Sequence, residues 1–135
     1  LSINFHEFLL IIKSQNRIDR DEHWRNQSDF LHYEKYDAYF SVESLSESVT
    51  SLSEKGFKLF DTRSEIRHDL SKLKKLEGNF SKLKDIELKK MKDKGTIPSY
   101  HSMFGDEEIN LLREIYSDDI DLYKNLFGER NLLFK

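Results

Sequence analysis

The chain contains no cysteine, one proline and five glycines among its 135 residues. The lack of cysteine excludes disulfides, thiolate nucleophiles and cysteine-bound metals, and it suits the reducing cytoplasm, where we expect the protein to reside. No apolar run approaches the roughly 20 residues that a spanning helix needs, so we expect no membrane partner. The opening residues do not resemble a signal peptide. The net charge is only −3, too small a field to recruit nucleic acid.

Aromatic residues are abundant, at 13% of the chain, and include ten phenylalanines and six tyrosines. They argue against disorder because their rings can fill a core. Charged residues reach 35% and hydrophobic residues 37%. At this length we expect a single domain or partial domain over 1–135, with one modest core.

The charge is distributed unevenly along the chain. Residues 1–62 carry 7 basic and 11 acidic groups, residues 63–94 carry 11 and 6, and residues 105–135 carry 4 and 8. The middle is therefore net +5 between two segments of −4 each. Such a segment either faces an anionic ligand or docks on its acidic neighbours.

Helix dominates the predicted secondary structure. Asn4 and Glu7 have the spacing of a capping box and predict an apolar helix over 4–14. A polar, irregular loop over 15–32 follows.

A small β-α-β-like unit is predicted over 36–60. The aromatic-rich segment 36–42 reads as a strand and 57–60 as a second short strand. Between them, regularly spaced apolar residues predict a helix over 43–55, with Gly56 just past its end.

The second half is predicted to be a basic helical segment over 64–94, a loop over 95–105 and C-terminal helices over 106–127. Gly78 divides the basic segment into two helices, whose inward faces are marked by Leu70, Leu73 and Leu76 and by Leu83, Ile86 and Met91. Asp106 is expected to cap the final helical region, and Ser117 to begin a fresh turn inside it.

The only tryptophan lies in a polar cluster at 21–27, with the sequence Asp-Glu-His-Trp-Arg-Asn-Gln. A histidine can transfer protons near neutral pH, and an indole ring can stack on a sugar or base. The guanidinium group of Arg25 can bind sulfate or phosphate through two nitrogens. Alternatively, Trp24 fills the edge of the core, and His23 covers Trp24 and forms a hydrogen bond to it. The local chemistry leaves both interpretations open.

No metal site is predicted. The five histidines show no His-Glu-x-x-His pattern, and no EF-hand loop surrounds Asp118, Asp119 and Asp121. These carboxylates are expected to complement a helix dipole. A Gly-x-Ser-x-Gly elbow, a Walker A loop and a Gly-x-Gly-x-x-Gly loop are also missing from the sequence.

The stretch 92–101 places cations and hydroxyl donors together before a helix. An inventory of this kind can hold phosphate or sulfate oxygens, although an ordinary solvated connection looks much the same. The candidate ligand-binding residues are Lys94, Thr96, Ser99, Tyr100 and His101.

Four segments in a set order complete the pattern: Phe-His-Glu-Phe at 5–8, the cluster at 21–27, Tyr-Asp-Ala-Tyr-Phe-Ser-Val-Glu-Ser-Leu at 36–45, and Ile-Tyr-Ser-Asp-Asp-Ile-Asp-Leu-Tyr at 115–123. Together they resemble the carbohydrate sulfotransferase family, which has an aromatic helix, a His-Trp element, a Tyr-Asp strand with Glu-x-Leu, and a helix ending in Tyr-x-x-Asp.

The resemblance implies transfer of a sulfuryl group from 3′-phosphoadenylyl sulfate (PAPS) to a hydroxyl group, commonly on a carbohydrate. It implies a P-loop-like α/β fold, of which this chain would be a mainly α C-terminal part with one or two short strands. It also implies a substrate-side or structural role for His23, Trp24, Arg25 and Gln27, and a cofactor-enclosing role for the loop from Lys94 to His101. It identifies no catalytic base.

Several departures from the family qualify this expectation. The family's 5′-phosphosulfate loop and 3′-phosphate element lie upstream of its His-Trp segment, but only 22 residues precede His23 here and contain neither. Asn26 stands where the family often has proline, and the lysine-rich stretch 72–94 has no counterpart. We therefore expect the C-terminal portion of a longer enzyme.

Two alternatives remain. One is a non-catalytic helical interaction module with a sulfotransferase-like scaffold, and the other is an unrelated small helical protein. In either setting, an exposed sheet edge would favour self-association.

Overall fold

The computed structural model describes residues 2–58, 70 and 72–133, and these are mainly helical. The helices are α1 (Phe5–Ser14), α2 (Leu45–Glu54), α3 (Asp85–Asp93), α4 (Asp106–Ile115) and α5 (Ser117–Phe127). Two short strands, β1 (Lys74–Leu76) and β2 (Thr96–Pro98), form a parallel sheet. Among the described residues, no helix combines the length and apolar character that crossing a bilayer requires.

Helix α1 begins with the predicted capping box. The side chain of Asn4 accepts the backbone N–H of Glu7 at 2.8 Å, and the Glu7 carboxylate accepts that of Asn4 at 3.0 Å. These bonds satisfy two of the N–H groups that a helix start leaves unpaired. The predicted helix over 4–14 is confirmed to within one residue.

The hydrophobic core lies where α1 packs against α4. Leu9, Ile12 and Ile115 are the fully buried apolar residues among those described, and each is less than 10% exposed. Partly buried side chains pack around them from α1, the 15–32 region, α4 and the residue that follows it: Phe5, Phe8, Trp24, Leu111, Leu112 and Tyr116.

The predicted C-terminal helical region is present as two helices, and α5 begins at Ser117 as predicted. The predicted cap at Asp106 is wrong, because the N-cap residue is Gly105 and Asp106 is already helical. The extended backbone of Gly105 directs its N–H to the Glu108 carboxylate, at 2.9 Å. The capping acceptor therefore comes from within the first turn of α4.

The small sheet belongs to a β-α-β unit, with α3 between its parallel strands. Lys74 is paired with Thr96 and Leu76 with Pro98. The predicted helix marked by Leu70, Leu73 and Leu76 is therefore wrong over 74–76, and the predicted loop over 95–105 includes β2 and a 3₁₀ turn, His101–Met103. The helix predicted from Leu83, Ile86 and Met91 is present as α3, although Leu83 precedes its first residue.

Pairing between distant segments explains this difference. The Lys74 N–H donates to the Gly95 carbonyl at 3.0 Å, and the Ser99 N–H donates to the Leu76 carbonyl at 2.8 Å. Gly78 has a φ of 154°, which no helix accommodates. These contacts override the helix propensity of a lysine- and leucine-rich stretch.

The β-α-β-like unit predicted over 36–60 is not formed by its described residues. Segment 36–41 is not a strand, and Val42–Ser44 is a 3₁₀ turn. Aromatic residues favour strands only when a neighbouring strand covers them, whereas here Tyr36 packs against the rings of Tyr33 and Tyr39.

The helix predicted between those strands is confirmed as α2, and Gly56 follows its cap with a φ of 87°. Phe57 and Lys58 are not in a strand. Residues 59–60 of the predicted second strand, and residues 64–69 and 71 of the basic segment, lie outside the described residues.

A buried carboxylate joins α4 to α1 and to the turn before α3. The side chain of Glu108 is 2% exposed, and its Oε1 lies 2.6 Å from His6 Nδ1. Although burial opposes the charged form, the hydrogen bonds from His6 and from the Gly105 N–H hold the pKa of Glu108 below its usual range. Glu108 keeps its negative charge in this buried site because its carboxylate accepts hydrogen bonds from several groups.

Replacing this buried carboxylate by its neutral isostere is therefore expected to destabilise the fold. We expect Glu108→Gln to lower the free energy of unfolding by about 2 kcal/mol, since a charge-assisted bond in a buried site is lost. Urea unfolding followed by circular dichroism measures the effect.

Glu107→Gln is the matched control, because the neighbouring side chain is 69% exposed and pairs with Lys82 at the surface. We expect it to change stability by less than about 0.5 kcal/mol. Equal losses in the two variants would contradict the role assigned to Glu108.

Candidate functional site

Residues 21–28, here called the His-Trp loop, form a turn followed by the start of a 3₁₀ turn, Gln27–Phe30. The Asp21 carbonyl accepts the backbone N–H groups of Trp24 at 3.1 Å and of Arg25 at 2.9 Å. The irregular loop predicted over 15–32 is therefore ordered by local turns rather than by a long helix or strand.

Trp24 has the contacts of a core residue. Its ring packs edge-to-face on Phe8, with centroids 5.4 Å apart, and it lies against the buried cluster between α1 and α4. Its carbonyl accepts the hydroxyl of Tyr116 at 2.8 Å, and burial raises the pKa of that hydroxyl. These contacts match the interpretation in which Trp24 plugs the core edge.

The indole Nε1 of Trp24 is buried and has no hydrogen-bond partner among the described residues. The indole is thus held by packing.

The guanidinium of Arg25 closes the loop on itself. It donates to the Ile18 carbonyl at 2.8 Å and to the Arg20 carbonyl at 3.0 Å and 3.2 Å. It also lies 5.9 Å from the centroid of the Phe30 ring. Because these bonds occupy Nε and one terminal nitrogen, the full fork is not presented to an anion.

Asn26 connects the loop to the end of α4, which the sequence did not reveal. It is 1% exposed, its Oδ1 accepts Nη1 of Arg20 at 2.9 Å, and its Nδ2 donates to the Ile115 carbonyl at 3.3 Å. The only local signal is an asparagine where the carbohydrate sulfotransferase pattern often has proline. A proline there would provide neither side-chain group.

Asp119 anchors the loop to α5. Its carboxylate accepts the backbone N–H of Gln27 at 2.8 Å, the backbone N–H of Ser28 at 2.9 Å and the Ser28 hydroxyl at 2.7 Å. Asp119 was expected only to complement the helix dipole. Lying near the start of α5, it also caps a 3₁₀ turn more than 90 positions away in the chain.

Arg17 adds a second connection between the same elements. It forms a two-nitrogen pair with Asp29 at 2.7 Å and 2.9 Å, and it also contacts Asp118. This pairing raises the pKa of Arg17 and lowers that of Asp29. The loop region and the first turn of α5 are therefore joined by one network of charged hydrogen bonds.

His23 stands out because its side chain is 76% exposed while its backbone is held in the turn. Its Nδ1 lies 2.6 Å from Oδ1 of Asp21, and the same oxygen accepts the His23 N–H at 2.9 Å. His23 makes no hydrogen bond to Trp24, so the predicted cap of Trp24 is absent. The neighbouring carboxylate raises the pKa of His23.

Gln27 lines an apolar groove of about 440 Å³ between the segment 30–43 and α5. Its neighbours there include Phe30, Tyr39, Phe40 and Tyr123. The groove lies next to the His-Trp loop but does not include His23 among its lining residues. Gln27 places an amide at its edge.

The candidate cofactor-binding residues do not form one set of free phosphate-binding groups. Thr96 donates its hydroxyl to the Met91 carbonyl at 3.1 Å. Ser99 is buried and donates to Glu77 at 2.7 Å, and the hydroxyls of Ser99 and Ser102 lower the pKa of Glu77. A carboxylate already occupies the place where a phosphate oxygen would accept these donors, so the loop does not fit the PAPS phosphates.

The remaining candidates of this loop are exposed. Lys94 follows the last turn of α3 and His101 lies in a 3₁₀ turn. Tyr100 lines a second cleft beside β2, together with Ser99.

One group of residues among those described has the arrangement of metal ligands. The ligand atoms of His6, Glu107 and Glu108 lie within 4.8 Å of one another. The ammonium group of Lys82 is 2.6 Å from Glu107 and 3.5 Å from Glu108. Because this ammonium pairs with the same carboxylates, the cluster reads as an ion-pair network.

Comparison with protein-family models, curated proteins and solved structures finds no match to this chain.

The Asp21–His23 pair yields a prediction about proton binding. Asp21→Asn keeps an acceptor for the His23 N–H but removes the charge, so we expect the pKa of His23 to fall towards its ordinary value. An NMR titration of the imidazole measures this directly. Because folding raises the pKa of His23 and lowers that of Asp21, the pair contributes stability in the acidic range where both groups are charged. This stability is lost as pH rises through the folded-state pKa of His23 and as pH falls through that of Asp21.

Glu22→Gln is the control, since Glu22 acts on His23 only through a weaker charge effect. We expect a smaller fall in the pKa than Asp21→Asn causes. A fall of the same size in both variants would contradict the assigned hydrogen bond.

Proposed function

We propose that this chain is the C-terminal, acceptor-side portion of a sulfotransferase, which transfers a sulfuryl group from PAPS to a hydroxyl group on a carbohydrate. One observation carries the proposal: two of the four segments of the family-like pattern, 21–27 and 115–123, are in direct contact. Tyr116 binds the Trp24 carbonyl, and Asp119 binds the Gln27 N–H.

His23 is the residue proposed to act on the acceptor. With Nδ1 held by Asp21, its Nε2 makes no hydrogen bond to any described residue. In the neutral tautomer that donates from Nδ1, the lone pair of Nε2 accepts the proton of the attacking hydroxyl as its oxygen bonds to sulfur. The bond from sulfur to the phosphate oxygen of PAPS breaks, and adenosine 3′,5′-bisphosphate leaves. Asp21 fixes the ring and stabilises the imidazolium that results.

The neighbours of His23 have supporting roles in this proposal. Trp24 and Arg25 build the platform, through the core and through backbone carbonyls respectively. Gln27 contributes an amide at the edge of the apolar groove, where a sugar hydroxyl finds a donor and an acceptor. The residues Lys94 to His101 are not assigned to the PAPS phosphates, because the hydroxyls of Thr96 and Ser99 are already engaged.

The second candidate function is a non-catalytic helical interaction module. The apolar groove beside α5 favours it, since half-exposed aromatic side chains such as Phe30 and Phe40 suit a protein partner.

The two functions differ in what His23 does. We expect His23→Ala, in the natural gene product that carries these residues, to lower kcat/KM for sulfuryl transfer from PAPS about 100-fold or more while leaving the unfolding midpoint unchanged. Transfer of radiolabelled sulfate to a glycan acceptor is the measurement. His32→Ala, which removes another exposed histidine, is expected to leave transfer unchanged.

Trp24→Ala tests the division of roles within the loop. We expect it to lower the free energy of unfolding by about 3 kcal/mol, because a large ring leaves the core edge. Equal, large destabilisation by His23→Ala and Trp24→Ala would show that the pair is structural. Unaltered transfer in a folded His23→Ala variant would contradict the role assigned to His23. No transfer by the unaltered gene product would favour the interaction module.

A further inference from the structure

A second cleft lies between α3, β1 and β2, away from the His-Trp loop. It has a volume of about 740 Å³. Apolar side chains form much of its wall, among them Leu88, Ile97, Pro98 and Met103. Three lysines line it as well, Lys75 from β1 and Lys89 and Lys92 from α3. It shares no lining residue with the groove beside α5, and we call it the lysine cleft.

The three lysines are held together by the β-α-β unit. Lys89 and Lys92 are three positions apart on α3 and so share one helix face, while β1 brings Lys75 to the same cleft. The β1–β2 pairing thus turns a basic stretch of sequence into a local concentration of positive charge.

The charges of these lysines are only weakly compensated within the described part of the chain, where Glu77 lies close enough to interact with Lys75 through its charge. Lys75, Lys89 and Lys92 form no ion pair there, whereas Lys13, Lys82 and Lys84 are each paired with a glutamate. Asp93 is the one acidic residue among the described lining residues. An apolar cleft lined by cations that form no ion pair with a described residue attracts a ligand with both negative charge and apolar faces.

Tyr100 supplies an aromatic face at the same place. Its side chain is 72% exposed, and Lys75 Nζ lies 5.9 Å from the centroid of its ring. An exposed ring beside a cation suits a saccharide unit, because the C–H face of the sugar packs on the ring while an acidic substituent meets the ammonium.

We propose that the lysine cleft binds an acidic saccharide, one whose sugar rings carry sulfate or carboxylate groups. A nucleic acid requires a basic groove that continues along its backbone, whereas this cleft holds three lysines in about 740 Å³ and suits a short oligosaccharide. Saccharide binding at the lysine cleft is separate from the proposed function, because it requires no sulfuryl transfer.

The test is titration of the protein with a heparin-derived hexasaccharide, with a neutral dextran hexasaccharide as the uncharged probe. We expect Lys75→Gln/Lys89→Gln/Lys92→Gln to weaken hexasaccharide binding about 10- to 100-fold. The matched control, Lys35→Gln/Lys55→Gln/Lys58→Gln, removes the same charge at three exposed lysines outside the cleft. We expect it to change binding less than about threefold.

Tyr100 has its own matched control in Tyr33, which is exposed to nearly the same extent, 74%. We expect Tyr100→Ala to weaken binding about fivefold, as the loss of a stacking face predicts, and Tyr33→Ala to leave it unchanged. Full hexasaccharide affinity without any sulfuryl transfer would overturn the proposed catalysis alone, so that failure of the proposed catalysis and failure of this inference are separate results.

Three outcomes would overturn the proposal: equal losses in the two triple variants, tighter binding of a single-stranded oligonucleotide or of adenosine 3′,5′-bisphosphate at the cleft, or no hexasaccharide binding at about millimolar concentration.

Discussion

The hydrogen bonds that Asp119 accepts from Gln27 and Ser28 are the constraint on which the rest of the site depends. They fix the His-Trp loop to the first turn of α5, and Asn26 fixes the same loop to the end of α4. Only three apolar side chains are fully buried among the described residues. Packing of so small a core leaves the path of the loop underdetermined, so directional polar bonds must specify it.

Rigid attachment of the loop has a chemical consequence at His23. The backbone turn and the buried Trp24 hold the residue in place, while its imidazole stays in solvent with Asp21 on one nitrogen. The structure therefore distinguishes a buried residue from an exposed one within a cluster whose sequence did not tell them apart. The tryptophan packs against the core, and the histidine keeps an exposed imidazole.

Signals confined to one segment were the ones that sequence reasoning found. The Asn4 capping box, the positive φ of Gly56 and the new helix at Ser117 are each encoded within a few residues. Strand β1 was missed because its pairing with β2 spans about 20 residues, and Asn26 and Asp119 were missed because their partners are about 90 residues away. The basic segment was visible in the sequence, but the convergence of its lysines with Tyr100 required the β-α-β unit.

Amide hydrogen exchange at Gln27 and Ser28 tests most directly whether the loop is anchored as described. If Asp119 holds it, both amides should be protected to about the same degree as the amide of Ile12 inside α1, and Asp119→Asn should reduce their protection at least about tenfold. Asp121→Asn, which alters an exposed neighbouring carboxylate, should leave that protection unchanged. Exchange of both amides at nearly unprotected rates in the native protein would contradict the account.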